Sequence, residues 1–307
     1  MQRPEQANAG EAIARHAGAG QAKPTGLAGR RILITRSADR ARPLASLLGR
    51  LGAEPLVLPL IDFEKAQDQA AIDAGLDRLS AGGFDWLVIS SVTTVRVLVE
   101  KAAERGVSLP DLLSAGTKVA TIGTSSRRVL ETLGLAVDLV PSGAQSAEGL
   151  VEVWEAAPSR VFLPQADIAA PGLRKGLAAK GADVTTVVAY HTVDYPAREE
   201  SRLRAEVPAA VVNSVGDTPP VLDPAEARKA FDDGTVDAVV AASPSAARRL
   251  AATFPTLGRS RFVAIGGPTA AEASRLGITV AATAQEPTPD GIVAALESVF
   301  ANEGNPQ

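Results

Sequence analysis

The chain has 307 residues, 46% of them hydrophobic, which is material for a core in each of two domains of ordinary size. Its 31 basic and 35 acidic side chains leave a formal charge of −4, so no overall field draws nucleic acid or a membrane surface, and an anionic partner must be held locally. With no cysteine, disulfides, thiolate nucleophiles and sulfur-ligated metals are excluded together, which fits a cytosolic chain.

Residues 1–27 are rich in Ala, Gly, Gln and Glu without an apolar signal core and read as a flexible extension. RRILITRS, from Arg30 to Ser37, sets a short apolar run before a polar turn. Leu44, Leu47, Leu48 and Leu51 then recur at helical spacing until Gly52 stops them. EPLVLPLIDFE resumes as strand, closing a β-α-β unit near Glu64. Ile72, Leu76 and Leu79 mark the next helix. FDWLVISS follows as a buried strand, and the turn at Ser91 to Thr94 feeds a helix through Val95, Leu98 and Val99. TKVATIGTSS is again strand into Gly/Ser/Thr turn, with RRVLETLG as its helix. The longest apolar runs are strand-length, far short of the roughly 20 residues that span a bilayer.

The second half repeats the first in blocks. RILITRSADRARPLASLLGRLGAEP aligns without a gap on RVFLPQADIAAPGLRKGLAAKGADV, matching Thr35 to Pro164 and Gly52 to Gly181. FDWLVISSVTTVRVL aligns on VDAVVAASPSAARRL, matching Asp85 to Asp237 and Ser91 to Ser243. VATIGTSSRRVLETLGLAV aligns on FVAIGGPTAAEASRLGITV, matching Gly123 to Gly266, and SAEGLVEVW echoes TPDGIVAAL. Strands alternating with helices imply parallel sheets covered on both faces, with ligands beyond the carboxyl ends of the strands, where the polar turns lie.

Those turns are therefore the candidate sites. Ser243-Pro244-Ser245 is a helix start, with Ser at the N-cap and Pro at the first helical position, and serves equally as a cap and no more. Gly266-Gly267-Pro268-Thr269 and Gly123-Thr124-Ser125-Ser126 open helices, leaving N–H groups to receive a carboxylate or phosphate, although tight turns use the same residues. Ser91, Thr93 and the Thr35-Arg36 turn add further anion-binding ends. Arg127-Arg128 and Arg248-Arg249 read either as solvated helix faces or as partners for substrate carboxylates. With His16 in the extension and His191 the only other histidine, no His/Cys metal site or Ser-His-Asp triad assembles. There is no Walker A pattern and no GxGxxG after a strand.

LITRS, the ISS turn at Ser90-Ser91, IGTSS, PSGAQSAEGL, LPQADI, KGADVTTVVAYHT, ASPSA, AIGGPTAAEASRLGI and PTPDGI run in order over about residues 30 to 297. In these the chain resembles the uroporphyrinogen-III synthase family. The resemblance implies an α/β fold of two Rossmann-like or flavodoxin-like domains with parallel sheets, joined by a two-stranded β linker. Residues 28–60 plus 195–307 would form one domain and 65–189 the other, with 61–64 and 190–194 as linker strands. It also implies cyclisation of hydroxymethylbilane, a linear tetrapyrrole with eight carboxylates, to uroporphyrinogen III with inversion of the last ring and loss of water. No cofactor and no metal are implied, and the protein would be a cytoplasmic monomer that binds neither nucleic acid nor membrane.

By the same resemblance Tyr190 matches the family's Tyr-x-Thr tyrosine and is expected to assist departure of the hydroxyl. Ser243, Ser245 and Thr269 match its substrate turns, and Ser126 a hydroxyl residue of the other domain. Substrate binding is thus expected of Arg36, Ser91, Thr93, Gly123, Thr124, Ser125, Ser126, Ser243, Ser245, Gly267 and Thr269. Val92-Thr93-Thr94, Gln165 and the Pro-rich Val212 to Ala227 depart from the family pattern. They leave open a non-catalytic binding or regulatory protein on the same scaffold.

Overall fold

The computed structural model describes residues 26–207 and 219–301. Residues 1–25, and Val212 to Thr218 within the Pro-rich departure, lie outside them. In chain order the elements are β1 (Arg31–Ile34), α1 (Ala38–Arg50), β2 (Glu54–Val57), β3 (Ile61–Lys65), α2 (Gln69–Ser80), β4 (Trp86–Ile89), α3 (Val92–Glu104), β5 (Lys118–Thr121), α4 (Thr124–Thr132) and α5 (Ala147–Val153). They continue with β6 (Ser159–Ala166), α6 (Gly172–Ala179), β7 (Ala182–Asp194), α7 (Pro224–Asp232), β8 (Ala238–Ala241), α8 (Pro244–Thr253), β9 (Arg261–Ala264), α9 (Gly267–Arg275), β10 (Val280–Thr283) and α10 (Pro289–Ala301).

Two five-stranded sheets result, one in the order β10-β9-β8-β1-β2 and the other β3-β7-β6-β4-β5. Consecutive apolar residues make these strands central. Ile32 and Ile34 of β1 pack with α1 and α10 on one face, Leu33 packs with α8 and α9 on the other, and all three are fully buried. Each such side chain stabilises the fold by about 1.5–3 kcal/mol. The sheets carry the duplicated blocks in matching order, β9-β8-β1-β2 against β5-β4-β6-β7. Asp237 accepts the Arg31 N–H at 2.8 Å just as Asp85 accepts the Arg160 N–H at 2.7 Å.

EPLVLPLIDFE is not one strand. It breaks at Pro59, which has no N–H for a ladder, and its two pieces join different sheets. β3 pairs antiparallel with β7, from Ile61 opposite Asp194 to Lys65 opposite Tyr190. The pair is the edge of the second sheet, because β7 also runs parallel to β6.

Two boundaries differ from expectation. Leu27, assigned to the extension, is fully buried against the first sheet. Residues following β7, assigned to the first domain, stay on the second sheet. The Lys65 N–H donates to Ser201 O at 2.8 Å, the Leu203 N–H to Phe63 O at 2.9 Å, and Arg96 clamps the carbonyls of Leu203 and Ala205. Leu203 is buried in the core that also holds Tyr190, and that apolar anchor keeps the segment there. The chain is back beside β2 by Pro220, whose carbonyl accepts the Val57 N–H at 2.8 Å.

Glu64 of β3 is buried and takes three hydrogen bonds from Arg198, which hold its carboxyl at about 2 against an ordinary 4.5. A depressed folded pKa contributes stability that is present above the ordinary pKa and lost as pH falls through the folded one. Glu64→Gln is therefore expected to flatten the loss of melting temperature between pH about 4.5 and about 2. Asp85 and Glu272, held down in the same way by arginines, keep part of the slope. A variant whose acid profile overlays the wild type would refute the assignment.

Candidate active site

Tyr190 owes its direction to a register shift. Along β7, Val188 stands opposite Gln165, and the next partner, Ala166, stands opposite Tyr190, so Ala189 is an extra residue. Strict alternation would send Ala189 and Tyr190 to opposite faces; the bulge lets both enter the core under α3, where they are 1% and 5% exposed. The ring of Tyr190 packs edge-on against Phe63, with centroids 5.5 Å apart.

The phenol reaches the start of α3. Ser91 caps that helix in extended conformation, its Oγ accepting the Thr94 N–H at 3.1 Å and lying 3.0 Å from both the Tyr190 hydroxyl and Thr94 Oγ1. Burial pushes the Tyr190 pKa up, while the hydroxyls of Ser91, Thr93 and Thr94 partly oppose it. The group stays a protonated phenol at neutral pH. Of the expected residues, Tyr190, Ser91 and Thr93 are thus brought together.

A second cluster flanks them. Asp167, in the turn after β6, donates its N–H to Tyr190 O at 3.1 Å. Its carboxylate accepts the Thr192 N–H at 3.0 Å and meets His191 Nδ1 at 3.1 Å. Burial works to raise the Asp167 pKa, but those two partners hold it below the ordinary value.

The remaining expected residues sit on separate turns at carboxyl ends of strands. Arg36 follows β1, half-buried, its pKa lowered by burial and by Arg40 and raised by Asp39. Ser243 caps α8, accepting the Ala246 N–H at 3.1 Å, and its Oγ lies 3.0 Å from that of exposed Ser245. Around Gly266 and Gly267 a side chain would meet nothing within 4 Å, so the start of α9 is open. The start of α4 is covered, because Gln145 Oε1 accepts the Thr124 N–H at 3.2 Å and the Thr124 hydroxyl at 3.1 Å, beside Gly123. Ser125 is exposed.

Ser126 and Thr269, at matching positions inside α4 and α9, are buried, 5% and 2% exposed. Arg248 pairs with Glu272 at 3.0 Å, and Arg249 with Asp194, so both already have carboxylate partners within the protein.

A profile of the family described as uroporphyrinogen-III synthase HemD matches residues 42–294. The chain belongs to the uroporphyrinogen-III synthase family. Its fold is that of a mutant uroporphyrinogen III synthase from Thermus thermophilus, 20% identical, with 89% of this chain and 100% of that one covered at a TM-score of 0.54. Uroporphyrinogen-III synthetase from Helicobacter pylori is 15% identical, with 88% and 99% covered at a TM-score of 0.52. A porphyrin biosynthesis protein HemD from Ruminiclostridium josui is 26% identical over 129 residues, 41% of this chain. The match spans 25% of that curated relative's length.

Among family members at such low identity, the supporting residues are the part sequence reading misses. Asp167 lies within LPQADI, one of the stretches that carried the resemblance, and its position in the turn after a matched strand was the available signal. Gln145 lies within PSGAQSAEGL, another of those stretches, but its place over the Gly123 turn rests on a contact 21 positions away.

Proposed function

We propose that this chain cyclises hydroxymethylbilane to uroporphyrinogen III with inversion of the last pyrrole ring, acting as a cytoplasmic monomer without a cofactor. The observation that carries the reading is Tyr190, a protonated phenol held by Ser91 at the carboxyl end of the second sheet. The phenol proton goes to the departing hydroxyl as the C–O bond breaks, giving water and a cationic methylene carbon conjugated with its pyrrole. The substituted carbon of the last ring attacks that carbon, and the spiro intermediate rearranges and closes. Loss of a ring proton, returned to the phenolate, balances the reaction.

General-acid help of this kind contributes about 10²–10⁴-fold. The choice of isomer is positioning work. It falls to the turns around Arg36, Ser243, Ser245 and Gly267, whose N–H and hydroxyl donors suit carboxylates in a protein of small net charge. Two α/β units facing each other across these turns, one built on β1, β2 and β8–β10 and the other on β3–β7, are the arrangement we assign to the bound state. No helix among the described residues is long and apolar enough to cross a membrane.

The test is to supply fresh hydroxymethylbilane and resolve the oxidised products by isomer. The type III isomer, formed faster than spontaneous closure, is expected. The type I isomer alone, at the uncatalysed rate, would refute the proposal.

A further inference from the structure

Thr93 and Thr94, in the turn that opens α3, lie against the phenol. Thr94 is fully buried at the third position of α3, and the hydrogen-bond partner its hydroxyl has among the described residues is Ser91 Oγ, at 3.0 Å. Thr94 is sealed at 0% exposed while Tyr190 keeps 5%, so of the two ends it is the Thr94 hydroxyl whose hydrogen must be paired inside the protein, by donation to Ser91 Oγ. Ser91 Oγ then accepts two hydrogen bonds, from the Thr94 N–H at 3.1 Å and from the Thr94 hydroxyl, which fills both its lone pairs. Its own hydrogen has one partner left, the Tyr190 oxygen at 3.0 Å.

We infer that Thr94 is a positioning residue that fixes the direction of a hydroxyl chain running Thr94 to Ser91 to Tyr190, so that the phenol oxygen accepts and the phenol proton points outward to the substrate. The inference rests on the proposed role of Tyr190 and goes beyond it: the same three hydroxyls running the other way would aim the acidic proton into the protein. Without the Thr94 hydroxyl, Ser91 regains a free lone pair and the phenol turns its proton inward to fill it. Such chains strengthen from link to link, so the loss reaches the last oxygen.

The test compares Thr94→Val, which keeps the shape and removes the hydroxyl, with Thr94→Ser, which keeps it. Thr94→Val is expected to lower kcat roughly tenfold, a part of the 10²–10⁴ available to a general acid, with KM little changed, and Thr94→Ser to restore it. Added to Tyr190→Phe, Thr94→Val is expected to cost nothing further, because the two act as a unit.

A readout that needs no substrate is the ionisation of Tyr190 followed by fluorine NMR with fluorotyrosine at both tyrosines, the other being Tyr195. Thr94→Val is expected to raise the Tyr190 midpoint and leave that of Tyr195 in place. An unmoved Tyr190 midpoint, or additive losses in the double variant, would overturn the inference. If Tyr190→Phe alone turns over at the wild-type rate, the role of Tyr190 falls while the shift in its midpoint still decides the direction of the chain.

Discussion

Tyr190→Phe is expected to lower kcat by about 10²-fold or more while the melting temperature shifts by only a few degrees. The separation of the two effects follows from what the substitution removes. The ring and its edge-on packing with Phe63 remain, as do the neighbours that leave Tyr190 5% exposed. One hydrogen bond to Ser91 is lost, but Ser91 keeps its bonds to the N–H and hydroxyl of Thr94 and, being only half-buried, can turn its own hydrogen to water. That limits the stability cost to about 0.5–1.5 kcal/mol, against about 2.7 kcal/mol or more of transition-state stabilisation for a hundredfold rate effect. Wild-type turnover in the variant would make Tyr190 a packing residue and sink the proposed chemistry.

Large stability losses are expected at two matching glycines. Gly149 in α5 and Gly291 in α10 each donate their N–H to the cap hydroxyl three residues earlier, Ser146 and Thr288, at 3.1 Å. In both, the chain then folds back so that an added Cβ would lie 1.9 Å from Ala144 O in one copy and 2.4 Å from Glu286 O in the other. These are backbone atoms, so a rotamer change cannot relieve the clash and the loop itself must move.

Helix propensity favours alanine over glycine by about 1 kcal/mol, and overpacking of this kind costs about 1–3 kcal/mol or more. Gly149→Ala and Gly291→Ala are thus each expected to lose roughly 1–2 kcal/mol in denaturant unfolding, Gly149→Ala the more of the two. Gly172→Ala, where a Cβ would meet nothing within 4 Å, is the control and is expected to be neutral or slightly stabilising. Neutral Gly149→Ala would show that the loop yields freely.

Most of the architecture was legible because it is written in local signals. Runs such as Ile32 to Ile34 and Leu87 to Ile89 are too short and too apolar to be anything but buried strands, and Ser91, Ser146 and Ser243 are N-caps whose side chains accept the expected N–H groups. The duplication showed which strands correspond, and the two sheets place them in the same order.

What was not legible depends on contacts distant in sequence. Leu203 reads as a lone leucine among charges, and only the core beneath α3 explains why its segment stays on the second sheet. Ser126 and Thr269 look like their neighbours in the turns, yet helical phase turns them inward. Arg249 read either as part of a solvated face or as a substrate partner, and its partner Asp194 lies 55 positions away.

The extra residue at Ala189 means that the phenol is held in place by a count as much as by a side chain. Many small residues would serve at position 189, but were Ala189 to pair regularly with Ala166 and the bulge be lost, strict alternation would turn the phenol to the far face of the sheet with composition unchanged. For anyone aligning or engineering this strand, one further residue inserted before Tyr190 is therefore a change of chemistry, even where every surrounding residue still pairs.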